Sequence, residues 1–464
     1  MKRDELTVTN PYSGEMVCRV PLMDEGEVNP MVQQARAAFR EWRAAPPAER
    51  GALCRKAMEF FGERRDAIAL DITQQMGKPL RQAIGEVNRM LERAEYLIDI
   101  AEKTLADEWL PELAGFKRYI RHEPMGVVLD IAAWNYPLLI AVNVIVPAVL
   151  AGNAVLVKHS RRTPLCGTAF EDAYRAAGAP DGLVQAVTAD HEVVEKLIRH
   201  PGVDYVSFTG SVRGGRELTY SVAGRFIPIG LELGGKDPAY VCADAPFDFA
   251  VENCVDGAFY NAGQSCCAIE RIYVDQNIYD DFVEAYVRKT SEYALGDPCE
   301  RTTTLGPLAQ DSARQFLGRQ VEEAVSSGGR CLISAADFEM PARGFFFAPT
   351  VVADAPQTCS LMQEESFGPA IGIRAVSDDD EAISLMNDSR YGLTASIWTS
   401  DLGRAIRIGE QIDTGTFYMN RCDYLDPALP WCGVKDTGRG CSLSHYGFLP
   451  LTRLKSMHLR EVPG

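Results

Sequence analysis

The chain reads as an α/β protein built from two doubly wound units, and three observations lead there. Between Val127 and Leu233, short apolar runs alternate with stretches of helical period. The same alternation begins again after Gly235. Prolines and glycines fall where helices should start and stop: Pro137 and Pro164 suit first helical positions, and Gly178 suits the residue behind a last turn. Strand, helix, strand in repetition implies parallel sheets with ligands near the carboxyl ends of their strands. At about 100–200 residues per domain, 464 residues allow two to four domains.

The elements follow in order. Asn10 to Glu15 is a turn, and apolar residues recur at three and four over Val28–Phe39 and Glu49–Arg65, which predicts helices. Met76-Gly77-Lys78-Pro79 interrupts the next helix, and another runs toward Lys103. Val127–Ala132 is an apolar run broken only by Asp130 and suits a buried strand. Pro137 opens a helix through about Leu150, and Pro147 inside it predicts a kink or an early end. Strands are expected at Ala154–Val157, Leu183–Val187, Tyr205–Phe208 and Ile227–Leu233, with helices between them. After Gly235, strands near Pro238–Cys242 and Arg271–Val274 accompany helices at 247–261 and 277–293. Leu454–Arg460 alternates like a strand, and with no sheet of its own nearby it is expected to pair with another subunit.

Composition removes several function classes. Lys plus Arg total 47 against 64 Asp plus Glu, a formal charge of −17, so a nucleic acid would be repelled. The thirteen cysteines form no CxxC pair, which favours a reducing compartment over a disulfide framework and predicts no metal site. Met1-Lys2-Arg3-Asp4-Glu5 leads into no apolar run, so a signal peptide is not expected and the location is read as cytoplasmic. Tyr136–Gly152 is apolar, but it carries Asn143 and Pro147 and is shorter than the roughly twenty residues of a spanning helix. It is read as a buried helix, and no membrane partner is expected.

The chemistry concentrates in a few segments. Tyr260-Asn261-Ala262-Gly263-Gln264-Ser265-Cys266-Cys267 resembles the active-site cysteine signature of the aldehyde dehydrogenase superfamily. Leu231-Glu232-Leu233-Gly234-Gly235-Lys236 resembles its glutamate signature, and Cys266 follows Glu232 by 34 residues, a spacing that suits the family. Ala133-Trp134-Asn135-Tyr136-Pro137, Phe208-Thr209-Gly210-Ser211 and Glu364-Glu365-Ser366-Phe367-Gly368-Pro369 are similar to further family blocks. So are Asn387–Leu393 and Gly433–Gly438. The ordered set spans Asn10 to Lys455, nearly the whole chain.

The resemblance implies a Rossmann-type cofactor domain, a second α/β catalytic domain and a small β oligomerisation element. The boundaries expected are 1–106 with 124–234, then 235–443, then 107–123 with 444–464. It implies oxidation of a small-molecule aldehyde to a carboxylic acid with NAD or NADP. A free aldehyde is a poor hydride donor. A thiolate that adds to the carbonyl makes a tetrahedral adduct from which hydride leaves readily. By resemblance Cys266 is that nucleophile, expected in an electropositive, partly exposed setting. The Asn135 amide and the Cys266 N–H are the oxyanion donors, and Glu232 activates the water that hydrolyses the thioester.

No GxGxxG fingerprint occurs. By resemblance Gly210 and Ser211, with Gly215 beyond, face the pyrophosphate at a helix start. Lys158 reaches the adenosine ribose, Glu365 and Phe367 hold the nicotinamide ribose and ring, and Trp134 is a further cofactor-binding residue. Family members that prefer NAD often carry a glutamate three residues after this lysine. Arg161 stands there instead, and an arginine can pair with a 2′-phosphate, so NADP is accepted. Tyr136, Ile140, Ser265, Cys267 and Trp431 are expected to line the substrate funnel, which suits a small or medium neutral aldehyde. Homodimers or homotetramers are expected. Three alternatives stay open: a coenzyme A-acylating dehydrogenase, a catalytically silent homologue with a binding role, and a thiol hydrolase, which would need a histidine base.

Overall fold

In a computed structural model that describes residues 4–462, the apolar runs become two large sheets. Met1-Lys2-Arg3 of the charged start and Pro463-Gly464 of the expected terminal element lie outside the described residues. The first sheet runs Gly438–Arg439, Ile229–Glu232, Tyr205–Thr209, Val127–Ala132, Ala154–His159, Val184–Val187. All pair in parallel except Gly438–Arg439, which lies antiparallel against Leu231 and Glu232. Strand order reverses at Val127–Ala132, so a crevice opens between the ends of that strand and Tyr205–Thr209. Val127–Ala132 and Ala154–His159 are buried at every position, which is why they read as continuous rather than alternating apolar runs.

The early end that Pro147 could have imposed does not occur. The helix runs Pro137–Ala151, with every residue but Ile140 buried, and stops at Gly152 with φ +95°. A proline inside a helix costs about 3 kcal/mol. Burial of a single Val or Leu contributes about 1.5–3 kcal/mol, so packing overrides the proline. Facing this helix is Leu80–Thr104, whose buried stripe includes the polar side chains Gln82, Glu86 and Arg93. Polar residues on a core-facing stripe mark the wall of a cavity. No helix among the described residues is long and apolar enough to cross a membrane.

The second sheet has seven strands in the order Arg330–Ile333, Thr350–Ala353, Ala370–Val376, Ile269–Asp275, Asp237–Val241, Thr394–Trp398, Thr416–Met419. Only Arg330–Ile333, at one edge, is antiparallel to its neighbour. Leu233-Gly234-Gly235-Lys236 carries the chain from the end of a strand in the first sheet to the start of one in the second. The terminal strand, read from the sequence as having no sheet nearby, has one within the chain: Thr452–Arg460 pairs antiparallel with Phe116–Pro124 over its full length. Glu108–Trp109 adds a third strand to this ribbon, and Trp109, Leu454 and Leu459 are exposed on it.

Candidate active site

The cysteine loop is a strained turn held on all sides. Helix Phe247–Phe259 ends at Tyr260, and Asn261, Ala262 and Gly263 then take positive φ of 53°, 54° and 69°. Each non-glycine residue held there costs about 1–2 kcal/mol and persists only where its surroundings fix it. Here the Asn261 amide donates to Asn135 O (3.2 Å) and Gln264 O (3.1 Å), and Gln264 Oε1 accepts from Ala309 N (2.9 Å). A Cβ at Gly263 would stand 2.5 Å from Gly368 O, so glycine is what lets the Glu364–Pro369 block press on the loop. Cys266 emerges partly exposed between the buried Ser265 and Cys267.

Glu232 ends its strand opposite this loop. A Cβ at Gly234 would lie 2.3 Å from the Glu365 carboxylate, and one at Gly235 2.5 Å from Cys266 O. The two glycines are therefore what allow the Glu232, Cys266 and Glu365 segments to meet. Gly235 N donates to Glu365 Oε1 (3.1 Å), and Thr437 Oγ1 donates to Gly234 O (2.8 Å). Beneath them Lys236 Nζ pairs with the buried Glu270 (2.7 Å), which also accepts from Ser366 N (2.8 Å) and Phe367 N (2.9 Å). Breaking such a buried pair costs about 3–5 kcal/mol, so this clamp holds Glu365 and Phe367 in place. Burial raises the Glu365 carboxyl above the usual carboxylate range, with Glu270 adding to it.

A cavity of about 510 Å³ joins these parts. Cys266, Glu232 and Asn135 all line it, as do Tyr136, Ile140, Ser265, Cys267 and Trp431. Asn135 is buried, and its amide donates to Gln264 O (3.2 Å), which leaves its second N–H without a partner among the described residues. It does not cap the neighbouring helix. That role falls to the distant Glu86, whose carboxylate accepts from Leu138 N (2.9 Å) at the helix start while pairing with buried Lys78 (2.5 Å). The Glu232 carboxyl is raised by burial, while a hydrogen bond from Ser442 Oγ (2.5 Å) and the charge of Arg93 act the other way.

The charges around the expected nucleophile are mixed, because Arg89, Arg93 and Arg421 line the cavity together with Asp423. Asp423 accepts from Ser265 Oγ (2.9 Å) and Cys267 Sγ (3.0 Å), flanking Cys266 with a carboxyl that burial pushes up to about 6. None of the six histidines lines the cavity. His159 is buried against Pro137 O (3.0 Å), and burial brings it down to about 4. The histidine base that a thiol hydrolase requires is absent from this site.

At the crevice of the first sheet, Gly210 N donates to Glu232 O (3.0 Å), and Ser211 caps helix Val212–Val222 through Gly214 N (3.2 Å). A Cβ at Gly210 would meet the Phe208 ring at 2.5 Å and one at Gly215 the Leu233 side chain at 2.7 Å, so both glycines let the helix start sit low on the sheet. Lys158 ends strand Ala154–His159 buried, and its ammonium makes no ion pair or hydrogen bond among the described residues. Burial lowers it to about 8. A buried cation without a partner among the described residues, on the same sheet as that helix start, fits the anionic, hydroxyl-rich half of a dinucleotide. Arg161 lies exposed next to it and pairs with Asp190 (2.5 Å). Trp134 and Phe367 meet edge to face, with centroids 5.5 Å apart, at the other end.

The geometry now has a context among known proteins. The model of the aldehyde dehydrogenase family matches residues 1–457. The chain belongs to the aldehyde dehydrogenase family. It is 37% identical over 447 residues to the succinate-semialdehyde dehydrogenase [NADP(+)] of Deinococcus radiodurans, covering 96% of this chain and 93% of that one. To the 3,6-anhydro-alpha-L-galactose dehydrogenase of Streptomyces coelicolor it is 34% identical, over 98% of this chain and 93% of that one. Among solved structures, betaine aldehyde dehydrogenase of Staphylococcus aureus in complex with NAD+ superposes with a TM-score of 0.94 at 29% identity, covering 99% and 92% of the two chains. The protein is thus an NAD(P)-dependent aldehyde dehydrogenase that oxidises an aldehyde to a carboxylic acid. Its fold is that of the family, a Rossmann-type cofactor sheet joined to a second α/β unit.

Proposed function

We propose that Cys266 is the nucleophile, Glu232 the base of the hydrolytic step, and Asn135 with the Cys266 N–H the oxyanion donors. The observation that carries this reading is the convergence of all three side chains on one cavity from separate elements. Addition of the Cys266 sulfur to the aldehyde carbon places negative charge on the carbonyl oxygen. The free Asn135 N–H and the Cys266 N–H, which makes no hydrogen bond among the described residues, are the donors available to it. Bound NAD or NADP supplies the hydride acceptor. The thioester then left on Cys266 is attacked by water that has given a proton to Glu232. Replacement of one oxyanion donor, Asn135→Ala, is expected to lower kcat by about 10²–10³-fold with little change in cofactor affinity, read by steady-state kinetics and cofactor titration.

For the cofactor, Gly210, Ser211 and Gly215 offer the helix start to the pyrophosphate and Lys158 reaches the adenosine ribose. Glu365 would hold the nicotinamide ribose, and Trp134 and Phe367 would flank the ring. NADP is preferred in this reading. Arg161 exchanges Asp190 for the 2′-phosphate, and no glutamate stands there to repel it. Arg161→Ala is expected to raise KM for NADP roughly 10-fold or more while KM for NAD changes little. Reduced-cofactor formation with each nucleotide over an aldehyde panel tests this, and an equal effect on both would assign Arg161 to the surface alone. The segments 1–106 and 124–234 form the cofactor domain and 235–443 the catalytic domain. Gly438–Arg439 crosses back from that second segment to the first sheet. The exposed ribbon of 107–123 and 444–464 is the element through which copies assemble into homodimers or homotetramers. Cytoplasmic location rests on the cysteine usage, thirteen residues without a CxxC pair.

A further inference from the structure

Arg93 is a cation in the cavity wall that none of the steps above uses. It lies on the same face of helix Leu80–Thr104 as Gln82, Glu86 and Arg89, and that face shares the cavity lining with Tyr136 and with Leu139, Ile140 and Asn143 of the helix it packs against. Its side chain is buried, with 6% of the residue exposed. One guanidinium nitrogen, Nη1, donates to Leu139 O (3.1 Å) and Asn143 Oδ1 (3.0 Å), both neutral acceptors. Nε and Nη2 donate to nothing among the described residues, and no carboxylate forms an ion pair with it there. The buried lysines Lys78 and Lys236, by contrast, each hold a carboxylate, Glu86 and Glu270 respectively.

A buried guanidinium with spare donors facing a cavity is stable where an anion completes its fork. Burial brings Arg93 down to about 10, while Glu232, Cys267 and Glu86 favour its charge, so it is a cation at neutral pH. Those neighbours also place it close to the reacting atoms. Arg93 and Cys266 line one cavity of about 510 Å³, so a single small molecule with an anionic end and a carbonyl end suits both. Glu86, Glu92, Glu232, Asp256 and Asp423 outnumber Arg89, Arg93 and Arg421 in the cavity lining, a balance that disfavours a dianion such as a phosphate more than a single carboxylate. We propose that Arg93 recognises the carboxylate of a short ω-carboxylated aldehyde, anchoring the end opposite the carbonyl that Cys266 attacks. The substrate is then an anion rather than the neutral aldehyde expected from the lining residues. This assignment rests on Cys266 as the nucleophile.

The test compares 4-oxobutanoate with uncharged butanal in the wild type, Arg93→Met and Arg93→Lys. The wild type is expected to favour 4-oxobutanoate by at least about 10-fold in kcat/KM. Arg93→Met is expected to lose roughly 10–150-fold on 4-oxobutanoate, mostly in KM, as for a charged hydrogen bond removed. Its loss on butanal should be at least tenfold smaller, and that residual activity also reports a folded site. Arg93→Lys should restore part of the preference, because it returns the charge without the fork. Equal losses on both aldehydes, or a wild type indifferent to the carboxylate, would overturn the proposal. Activity that survives in Cys266→Ala on both substrates would instead remove the nucleophile assignment, which keeps the two failures apart.

Discussion

Replacing Cys266 with alanine is expected to abolish reduced-cofactor formation with every aldehyde, a loss of about 10⁴-fold or more in kcat. The adjacent thiol does not rescue it. Cys267 is 3% exposed and donates to the Asp423 carboxylate at 3.0 Å. A hydrogen bond with Cys266, burial and the charge of Asp423 together push its thiol well above the ordinary range, so it holds its proton. Only the Cys266 sulfur is both exposed to the cavity and on the loop held by Asn261 and Gln264. Cofactor affinity should be unchanged in the variant, because the helix start at Ser211 and the buried Lys158 lie on the other sheet. Binding of NADP without turnover is the expected pair of results. Turnover in Cys266→Ala would place the nucleophile elsewhere. A wild type that binds NADP but turns over no aldehyde would match a silent homologue.

Why some of this was legible in the chain and some not has a physical basis. The strands Val127–Ala132 and Ala154–His159 are buried on both faces, so a plain apolar run marks them. Gly234, Gly235 and Gly263 sit where a Cβ would collide with Glu365, Cys266 O and Gly368 O, so their motifs record close approaches that any sequence must respect. Arg93, Glu86, Glu270 and Ser442 leave no such mark. Each acts through partners distant in the chain, and on a helix stripe or strand a lone polar residue reads as a solvated face. The seven-stranded sheet was only partly foreseen for a related reason. Arg330–Ile333 is an exposed edge strand, and Thr350–Ala353 has only four residues. The partner of the terminal strand, Phe116–Pro124, lies more than 300 residues upstream, beyond any local pattern.

Glu232→Gln should separate the two halves of the reaction rather than stop both. The substitution keeps the shape of the side chain and an oxygen to accept from Ser442 Oγ, but it removes the base. Acylation needs Cys266 and the oxyanion donors, so a single turnover should still release about one equivalent of reduced cofactor per site. The steady state should then fall by about 10²–10⁴-fold, the usual contribution of a general base, and the acyl group should accumulate on Cys266, visible by intact mass. The same residue sets the acid limb of the wild-type pH profile. As the proposed base Glu232 acts in its carboxylate form, and burial raises its carboxyl, so activity is expected to be lost as pH falls through a value above the usual carboxylate range. Ser442→Ala removes a donor that favours the charged form and is expected to move that limb to higher pH, whereas Glu232→Gln should erase it. A variant that loses the first turnover as completely as the steady state would show that Glu232 acts before hydride transfer, at the Cys266 thiol. Free coenzyme A that restores turnover in the variant and accelerates the wild type would mean that a thiol, not water, resolves the thioester, and the hydrolytic role of Glu232 would then fall.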